Sequence, residues 1–167
     1  MKWTRAELMR NAQNINFSQD IEIDDALFAG NSGILGVEDV HVEGSGYLDD
    51  NNDVFYVNMK IDGVMICPDA ITFDEIEVPF ETEAQETYSF VDTDEDGARI
   101  VENDEVDLLP AIVDEIILEV PLQITLASED EYPEGDGWKV YSEEDYQKMQ
   151  EDKIDPRLAK LKEFKEE

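Results

Sequence analysis

Apolar residues alternate with polar ones over several stretches in the middle of the chain. In the clearest stretch the apolar positions are Phe55, Val57, Met59 and Ile61. Successive side chains of a strand point to opposite faces of a sheet, so this alternation is typical of a strand with one buried face. The same pattern over residues 20–28 and 76–80 predicts further strands. The middle of the chain is therefore predicted to form antiparallel strands.

Turn residues and breaks in the alternation divide these strands. Asp49–Asp53 is a run of Asp and Asn that predicts a turn, and Asp62-Gly63 predicts a second one. Gly44 and Gly46 interrupt a strand near residues 40–48, which indicates a bulge or a close approach of two backbones. The apolar positions change from odd to even numbers at Asp74-Glu75, which indicates a bulge or a break between two strands.

Two helices are indicated by capping residues and helical periodicity. Thr4 followed by Glu7 matches a capping box and predicts a short helix from about Arg5 to Gln13. A more apolar helix is predicted to begin at a cap at Asp107 and to end at Pro121, with a final short strand over residues 122–126. Its apolar stripe consists of Leu109, Ile112, Val113, Ile116 and Ile117.

The last forty residues predict a loop followed by helices. Residues 128–138 are rich in Glu, Asp, Pro and Gly, and we expect a mobile loop there. Ser142, followed by three acidic residues, favours a helix start, and Asp155-Pro156 favours a second one. This second helix would carry an apolar strip of Ile154, Leu158 and Leu161 among lysines. The strip either packs on the acidic body of the protein or docks on a partner.

Together these elements predict an α+β fold. Its core would be an antiparallel β-sheet or a partly closed barrel with one buried helix, and helices would lie at both termini. We expect a single domain over residues 1–167. Within it, residues 1–15 form an N-terminal helical arm, 16–126 an acidic β-rich body, 127–139 a mobile loop and 140–167 a C-terminal helical segment.

Charge narrows the choice of partners. The chain has 12 basic and 44 acidic residues, for a formal net charge of -32. Only Lys60 and Arg99 are cationic between residues 11 and 138. A body with this field repels phosphate backbones and anionic membranes and attracts basic proteins or cations. We therefore expect a basic protein partner and no binding to DNA or membranes. General solubility would favour the same composition, and that alternative stays open.

Candidate catalytic and metal-binding groups are few. Asp92–Gly97 resembles the first half of a calcium loop, but the twelfth position is Asn103 rather than Glu, which favours a solvated acidic turn. His41 is the only histidine, and the sequence marks no Ser, Cys or Asp as its partner, so no catalytic triad is predicted. Cys67 is the only cysteine, which excludes an internal disulfide or a zinc set built on cysteines. We expect no catalytic residue, no metal and no cofactor.

Cellular location is indicated by two features of the sequence. No run of eighteen apolar residues is present, and the first residues lack the apolar stretch of a secretory signal. A cytoplasmic protein is therefore expected.

Several segments resemble one known family. Asp155–Leu161 (DPRLAKL) closely resembles the closing motif of the YceD family, the large ribosomal RNA subunit accumulation proteins of bacteria and plastids. The blocks Val106–Leu108 and Glu115–Leu122 are similar to a second family motif, Met1–Trp3 resembles the start of many members, and Val42–Gly46 lies where the family has an early strand. In many members a Cys-x-x-Cys pair suggests zinc. This chain keeps Cys67 but has Ala70 at the partner position, so metal binding does not carry over.

The resemblance implies a non-enzymatic factor that supports accumulation or processing of large-subunit ribosomal RNA and ribosome assembly. Its partner would be a basic ribosomal or RNA-processing protein, and its association with the RNA would be indirect. The partner-binding candidates are Trp3, Asp155, Pro156, Arg157, Leu158 and Leu161. Two alternatives remain: a hydrolase or nuclease that depends on a divalent metal, and a nucleic-acid mimic that regulates an RNA-binding enzyme.

Overall fold

The structure is a computed structural model that describes residues 1–11, 14–91, 97–128, 132–141 and 143–152. Nine strands and three α-helices lie within these residues. In chain order they are β1 (Lys2–Thr4), α1 (Arg5–Arg10), β2 (Asn14–Ile21), β3 (Gly36–Asp49), β4 (Val54–Pro68), β5 (Glu75–Ser89), β6 (Ala98–Ile100), β7 (Glu105–Asp107), α2 (Leu109–Glu119), β8 (Glu134–Gly135), β9 (Trp138–Lys139) and α3 (Glu143–Asp152).

The chain divides into two compact units. The first consists of Met1–Pro68 and Asp74–Ile124, and it contains the large sheet and α2. The second consists of Asp69–Phe73 and Thr125–Glu167, and its described part contains the short hairpin β8–β9 and α3. The assignment of residues 1–167 to one domain stays a prediction.

The main part of the first unit is a five-stranded sheet in the order β2-β3-β4-β5-β6. Neighbouring strands are antiparallel except β5 and β6, which are parallel. Beside it, β1 and β7 form a separate two-stranded antiparallel sheet. The α+β class is therefore confirmed. Because β2 and β6 are edges that do not pair with each other in the described part of the chain, the sheet is open and the alternative of a partly closed barrel is wrong.

The hydrophobic core lies on one face of this sheet, where the alternation of β4 places its odd-numbered residues. Phe55, Val57, Met59 and Ile61 are all buried, as the alternation predicts. Helix α2 packs against β5 and adds its own buried side chains, which are Ala111, Ile112, Val113 and Ile116. Full burial of one such aliphatic or aromatic side chain stabilises the fold by about 1.5–3 kcal/mol.

Two predictions made from local sequence are wrong, one because a capped 3₁₀ helix replaces part of a strand and the other because strand pairing overrides a turn. Residues 20–28 do not form one strand: β2 ends at Ile21, and Asp24 caps a 3₁₀ helix over Asp25–Phe28 by accepting a hydrogen bond from the Ala26 N–H at 2.9 Å. Asp62-Gly63 is not a turn either. Both residues lie inside β4 with strands on each side, so ladder hydrogen bonds keep the backbone extended.

Close contacts, rather than a bulge, explain Gly44 and Gly46 of β3: Gly44 faces a neighbouring backbone, and a Cβ on Gly46 would lie 2.3 Å from Cζ of the Phe55 ring. A Cβ atom on Gly44 would lie 2.3 Å from the carbonyl oxygen of Asn58. The bulge itself lies earlier, between Glu38 and His41, where Asp39 has a φ of 52°. The break predicted near Asp74-Glu75 is present, because β5 begins at Glu75.

The structure also corrects helix ends and the segment after α2. The capping box is present at Thr4, and α1 extends to Arg10. Helix α2 begins at Leu109 without a side-chain cap, so Asp107 is not its N-cap, although its carboxylate accepts a hydrogen bond from the Leu109 N–H.

Residues 122–126 form no strand, and the predicted mobile loop over 127–139 contains the hairpin β8–β9. The predicted helix at Asp155-Pro156 lies outside the described residues.

Candidate functional site

The sheet face opposite the core carries polar side chains in rows that cross four strands. Directly paired residues of an antiparallel ladder lie on the same face, so the strand register defines each row. We call this surface the outer face; its central residues are Asn16, Ser18, Asp20, His41, Glu43, Ser45, Tyr47, Tyr56, Asn58, Lys60, Asp62, Glu81, Glu83 and Gln85.

Two of these rows are acidic. The first is Ser18, Glu43, Lys60 and Glu83, and the second is Asp20, His41, Asp62 and Glu81. Lys60 Nζ lies 3.0 Å from Glu81 Oε2, and this hydrogen bond raises the pKa of the Lys60 ammonium. Five carboxylates in the two rows thus stand against one lysine and one histidine. The acidic end of the outer face keeps a net negative charge at neutral pH.

The next row along the strands is uncharged. It consists of Asn16, Ser45, Asn58 and Gln85. An open groove of about 730 Å³ runs over this row and reaches Glu43, Lys60 and Glu83. Beyond the uncharged row, Tyr47 and Tyr56 pair directly across β3 and β4, with 46% and 43% of their surface exposed. The outer face therefore changes from anionic to amide-rich to aromatic along the strands.

His41 has two polar partners that the sequence did not indicate. Its Nδ1 lies 2.5 Å from Asp20 Oδ1, and its Nε2 lies 3.0 Å from Ser18 Oγ. The sequence marked neither residue as a partner of this histidine, and the structure brings both within hydrogen-bond distance of its ring. Ser18 and Asp20 are two residues apart on β2, so strand alternation would have placed them on one face. Only the register, which pairs Asp20 with His41, shows that they meet at this ring.

These distances match the nucleophile, base and orienting carboxylate of a catalytic triad. The surroundings of His41 disfavour its action as the general base of such a triad. The hydrogen bond that His41 donates to Asp20 raises the pKa of His41, and the charges of Asp62 and Glu43 act in the same direction. Only the neutral imidazole accepts the proton of a serine hydroxyl, and a raised pKa reduces the neutral fraction. The Asp20 side chain is also 92% exposed, whereas the carboxylate of a triad is buried.

Trp3 is the one partner-binding candidate within the described residues. It pairs with Val106 across β1 and β7, and its ring lies 5.3 Å from that of Phe17 at an interplanar angle of 42°. It is half-buried and packs against the core. Next to it, Arg5 pairs with Asp50 and Asp53. The other candidates, Asp155, Pro156, Arg157, Leu158 and Leu161, lie outside the described residues, so the structure does not test whether they meet Trp3.

The described residues offer few groups that could bind a metal ion. Cys67 is fully buried, and burial raises the pKa of its thiol. In the residues that the structure describes, no group of three or more His, Cys, Asp or Glu side chains is arranged to hold a metal ion. Asp92–Asp96, the acidic part of the calcium-like loop, is outside those residues. Within the described ranges, no helix combines the length and apolar character needed to cross a membrane.

Comparison with known proteins places the chain in a family. The model of the family described as "Large ribosomal RNA subunit accumulation protein YceD" matches residues 57–165. The chain is also 35% identical to the uncharacterized protein YlbN of Bacillus subtilis (strain 168) over 169 residues, which cover 96% of this chain and 94% of that protein. No solved structure matches. The chain belongs to the YceD family, as the resemblance of its terminal and central motifs predicts.

Proposed function

We propose that this protein is a non-enzymatic factor that supports accumulation or processing of large-subunit ribosomal RNA and ribosome assembly. It acts in the cytoplasm by holding a basic ribosomal or RNA-processing protein on the acidic end of its outer face. Its association with the RNA passes through this partner. The description of the family supports the ribosomal role.

The pair of acidic rows is the observation that carries the choice of partner. Their carboxylates come from four neighbouring strands of one rigid sheet, and Glu43, Glu81 and Glu83 are exposed. Ribosomal proteins are strongly basic, so complementary charge would steer them to this face and make association fast and sensitive to salt. The same field disfavours direct binding of an RNA backbone.

A pair of charge-matched variants tests the proposal. The first, Glu43→Gln/Asp62→Asn/Glu83→Gln, removes three charges from the outer face. The second, Glu22→Gln/Glu102→Gln/Asp136→Asn, removes three charges from exposed positions elsewhere. Each full-length protein is immobilised, and proteins bound from a cell extract at low and moderate salt are identified and quantified by mass spectrometry.

We expect the unchanged protein and the second variant to recover a ribosomal or RNA-processing protein at low salt and less of it at moderate salt. The first variant should lose this recovery. In cells, replacing the natural gene with the first variant should lower the ratio of large-subunit to small-subunit ribosomal RNA. Recovery of no such protein at either salt, or equal recovery by both variants, would overturn the proposal. Competition by added RNA for the same partner would instead indicate a nucleic-acid mimic.

A further inference from the structure

The groove of the outer face offers hydrogen-bonding groups that no other described residue engages. The side chains of Asn16, Ser45, Asn58 and Gln85 have no hydrogen-bond partner among the residues that the structure describes. Each presents an oxygen that accepts a hydrogen bond, and all four stand in one cross-strand row. The groove floor is therefore a line of neutral acceptors beside the carboxylates of Glu43 and Glu83. The Lys60 ammonium stands between these two carboxylates and is paired with Glu81.

Aromatic surface lies on the other side of this row. Tyr47 and Tyr56 are direct cross-strand partners, and nearly half of each residue is exposed. Side chains of directly paired residues lie about 4.5–5.5 Å apart at their Cβ atoms, so the two rings are neighbours on the same face of the sheet. A polypeptide segment that lies along the strands thus passes the carboxylates, then the row of neutral acceptors in the groove, and then the two tyrosines beyond the groove lining.

This combination distinguishes the two basic side chains of proteins. An arginine guanidinium is planar, presents five N–H donors and stacks on aromatic rings while it donates to carboxylates and amides in its own plane. A lysine ammonium is a compact, strongly hydrated charge that gains less from an aromatic surface and cannot donate to two acceptors in a fork. Carboxylates alone attract both residues. The tyrosine pair and the amide row favour arginine.

The charge of the protein indicates which class of molecule would carry the bound arginine. The net charge of -32 and the acidic rows beside the groove complement a basic polypeptide and oppose a phosphate backbone. We propose that the groove is an arginine-selective docking site for an exposed basic segment of a protein partner. This inference rests on the proposed function, because it names the feature of the basic partner that the same face recognises.

Two synthetic peptides of equal length and equal charge test the selectivity. One carries arginine and the other lysine at every cationic position, and both carry the same fluorophore. Binding to the full-length protein is measured by fluorescence anisotropy at one fixed ionic strength. We expect the arginine peptide to bind at least about fivefold more tightly, in line with stacking and forked hydrogen bonds at a partly exposed site.

Variants at the tyrosine pair separate stacking from charge. Tyr47→Leu/Tyr56→Leu should abolish the preference while the lysine peptide binds as before. Tyr47→Phe/Tyr56→Phe keeps the aromatic surface and should retain the preference. Tyr141→Leu removes a tyrosine of similar exposure from a position off the outer face and should change neither affinity. Retention of the fold by the leucine variant is checked by its urea unfolding midpoint.

The possible outcomes separate this inference from the proposed function. Equal affinity for both peptides, together with weaker binding by the outer-face charge variant, would overturn arginine selectivity and leave the basic partner in place. Binding of neither peptide would overturn both proposals. Tighter binding of a single-stranded RNA oligonucleotide of the same length, lost in Tyr47→Leu/Tyr56→Leu, would show that the groove serves nucleic-acid bases and would also overturn the inference.

Discussion

The guanidinium of Arg99 holds the carboxylate of Glu86 through two hydrogen bonds, from Nε at 2.9 Å and from Nη2 at 3.3 Å. Nη2 also donates to Asp114 Oδ2 at 2.8 Å. Arg99 belongs to β6, Glu86 to β5 and Asp114 to α2, so one side chain connects the edge of the sheet to the buried helix. The hydrogen bond to Glu86, followed by that to Asp114, raises the pKa of Arg99 above its ordinary value.

We predict that Arg99→Leu lowers the free energy of unfolding by roughly 1–3 kcal/mol, because it leaves a mostly buried carboxylate without its partner. The Glu86 side chain is only 11% exposed. Urea unfolding followed by circular dichroism measures the loss. Lys139→Leu breaks the exposed pair with Glu134 and serves as the control, with an expected change below about 0.5 kcal/mol. Equal losses in the two variants would show that Arg99 contributes no more than a surface charge.

Gly44→Ala should destabilise the sheet. Its new Cβ would lie 2.3 Å from the carbonyl oxygen of Asn58 and 2.8 Å from Cζ of Phe17, so backbone and ring must both shift. Forcing extra volume into packed structure costs roughly 1–3 kcal/mol. Gly30→Ala is the matched control, since a Cβ there meets nothing within 4 Å. A comparison of urea midpoints checks this prediction, and similar midpoints for both variants would contradict it.

His41→Gln should destabilise the protein more in mildly acidic solution than in alkaline solution. Asp20 holds the proton on the imidazole and raises the pKa of His41, with smaller contributions from Asp62 and Glu43. A raised pKa stabilises the fold fully below the ordinary value of 6.5, and this stabilisation is lost as the pH rises through the pKa in the folded state. Melting temperatures of both proteins across this range give the difference directly. A difference that does not change with pH would rule out a charged His41.

Asp69→Asn should show the opposite pH dependence. Burial opposes ionisation of Asp69, but hydrogen bonds from the N–H groups of Ile71, Leu126 and Thr72 and from the Thr125 hydroxyl lower its pKa to about 2. The ionised carboxylate therefore stabilises the fold fully above its ordinary pKa of 3.8, and this stabilisation is lost as the pH falls toward 2.

The variant should consequently melt at a lower temperature than the unchanged protein near pH 7, and the gap should narrow as the pH falls from about 4 to about 2. Asp136→Asn changes an exposed position of the β8–β9 turn, and its melting temperature should not differ in this way from that of the unchanged protein. A constant gap down to pH 2 would mean that Asp69 acts through its shape rather than its charge.

The sequence predicted strands well where local alternation and tertiary burial agree. The alternation at Phe55–Ile61 and the parity change at Asp74-Glu75 are both confirmed. It failed at Asp62-Gly63, whose turn-like character is a local preference of a few tenths to one kcal/mol, whereas strands paired on both sides fix the backbone. It also failed at residues 122–126, where apolar content alone suggested a strand.

The sequence predicted which residues of one strand share the outer face, but it did not predict which residues of the neighbouring strands lie beside them. Alternation assigns Asn58 and Lys60 to the same face of β4, but it does not give the register that places Gln85 and Glu83 beside them. Register depends on turn lengths and on the bulge near Asp39, which local patterns do not specify. For this reason the sequence assigned the attraction of a basic partner to the acidic body as a whole, and it named individual partner-binding residues only at the termini.

Strand β1 is synthesised first but pairs with a partner that emerges much later, since Trp3 lies opposite Val106. The meander of β2 to β5 consists of strands adjacent in the chain, and it can form while translation continues. Strand β1 then stays without its partner strand until β7 leaves the exit tunnel. A protein for which we propose a role in ribosome production thus completes its own strand pairing only after most of its chain has been translated.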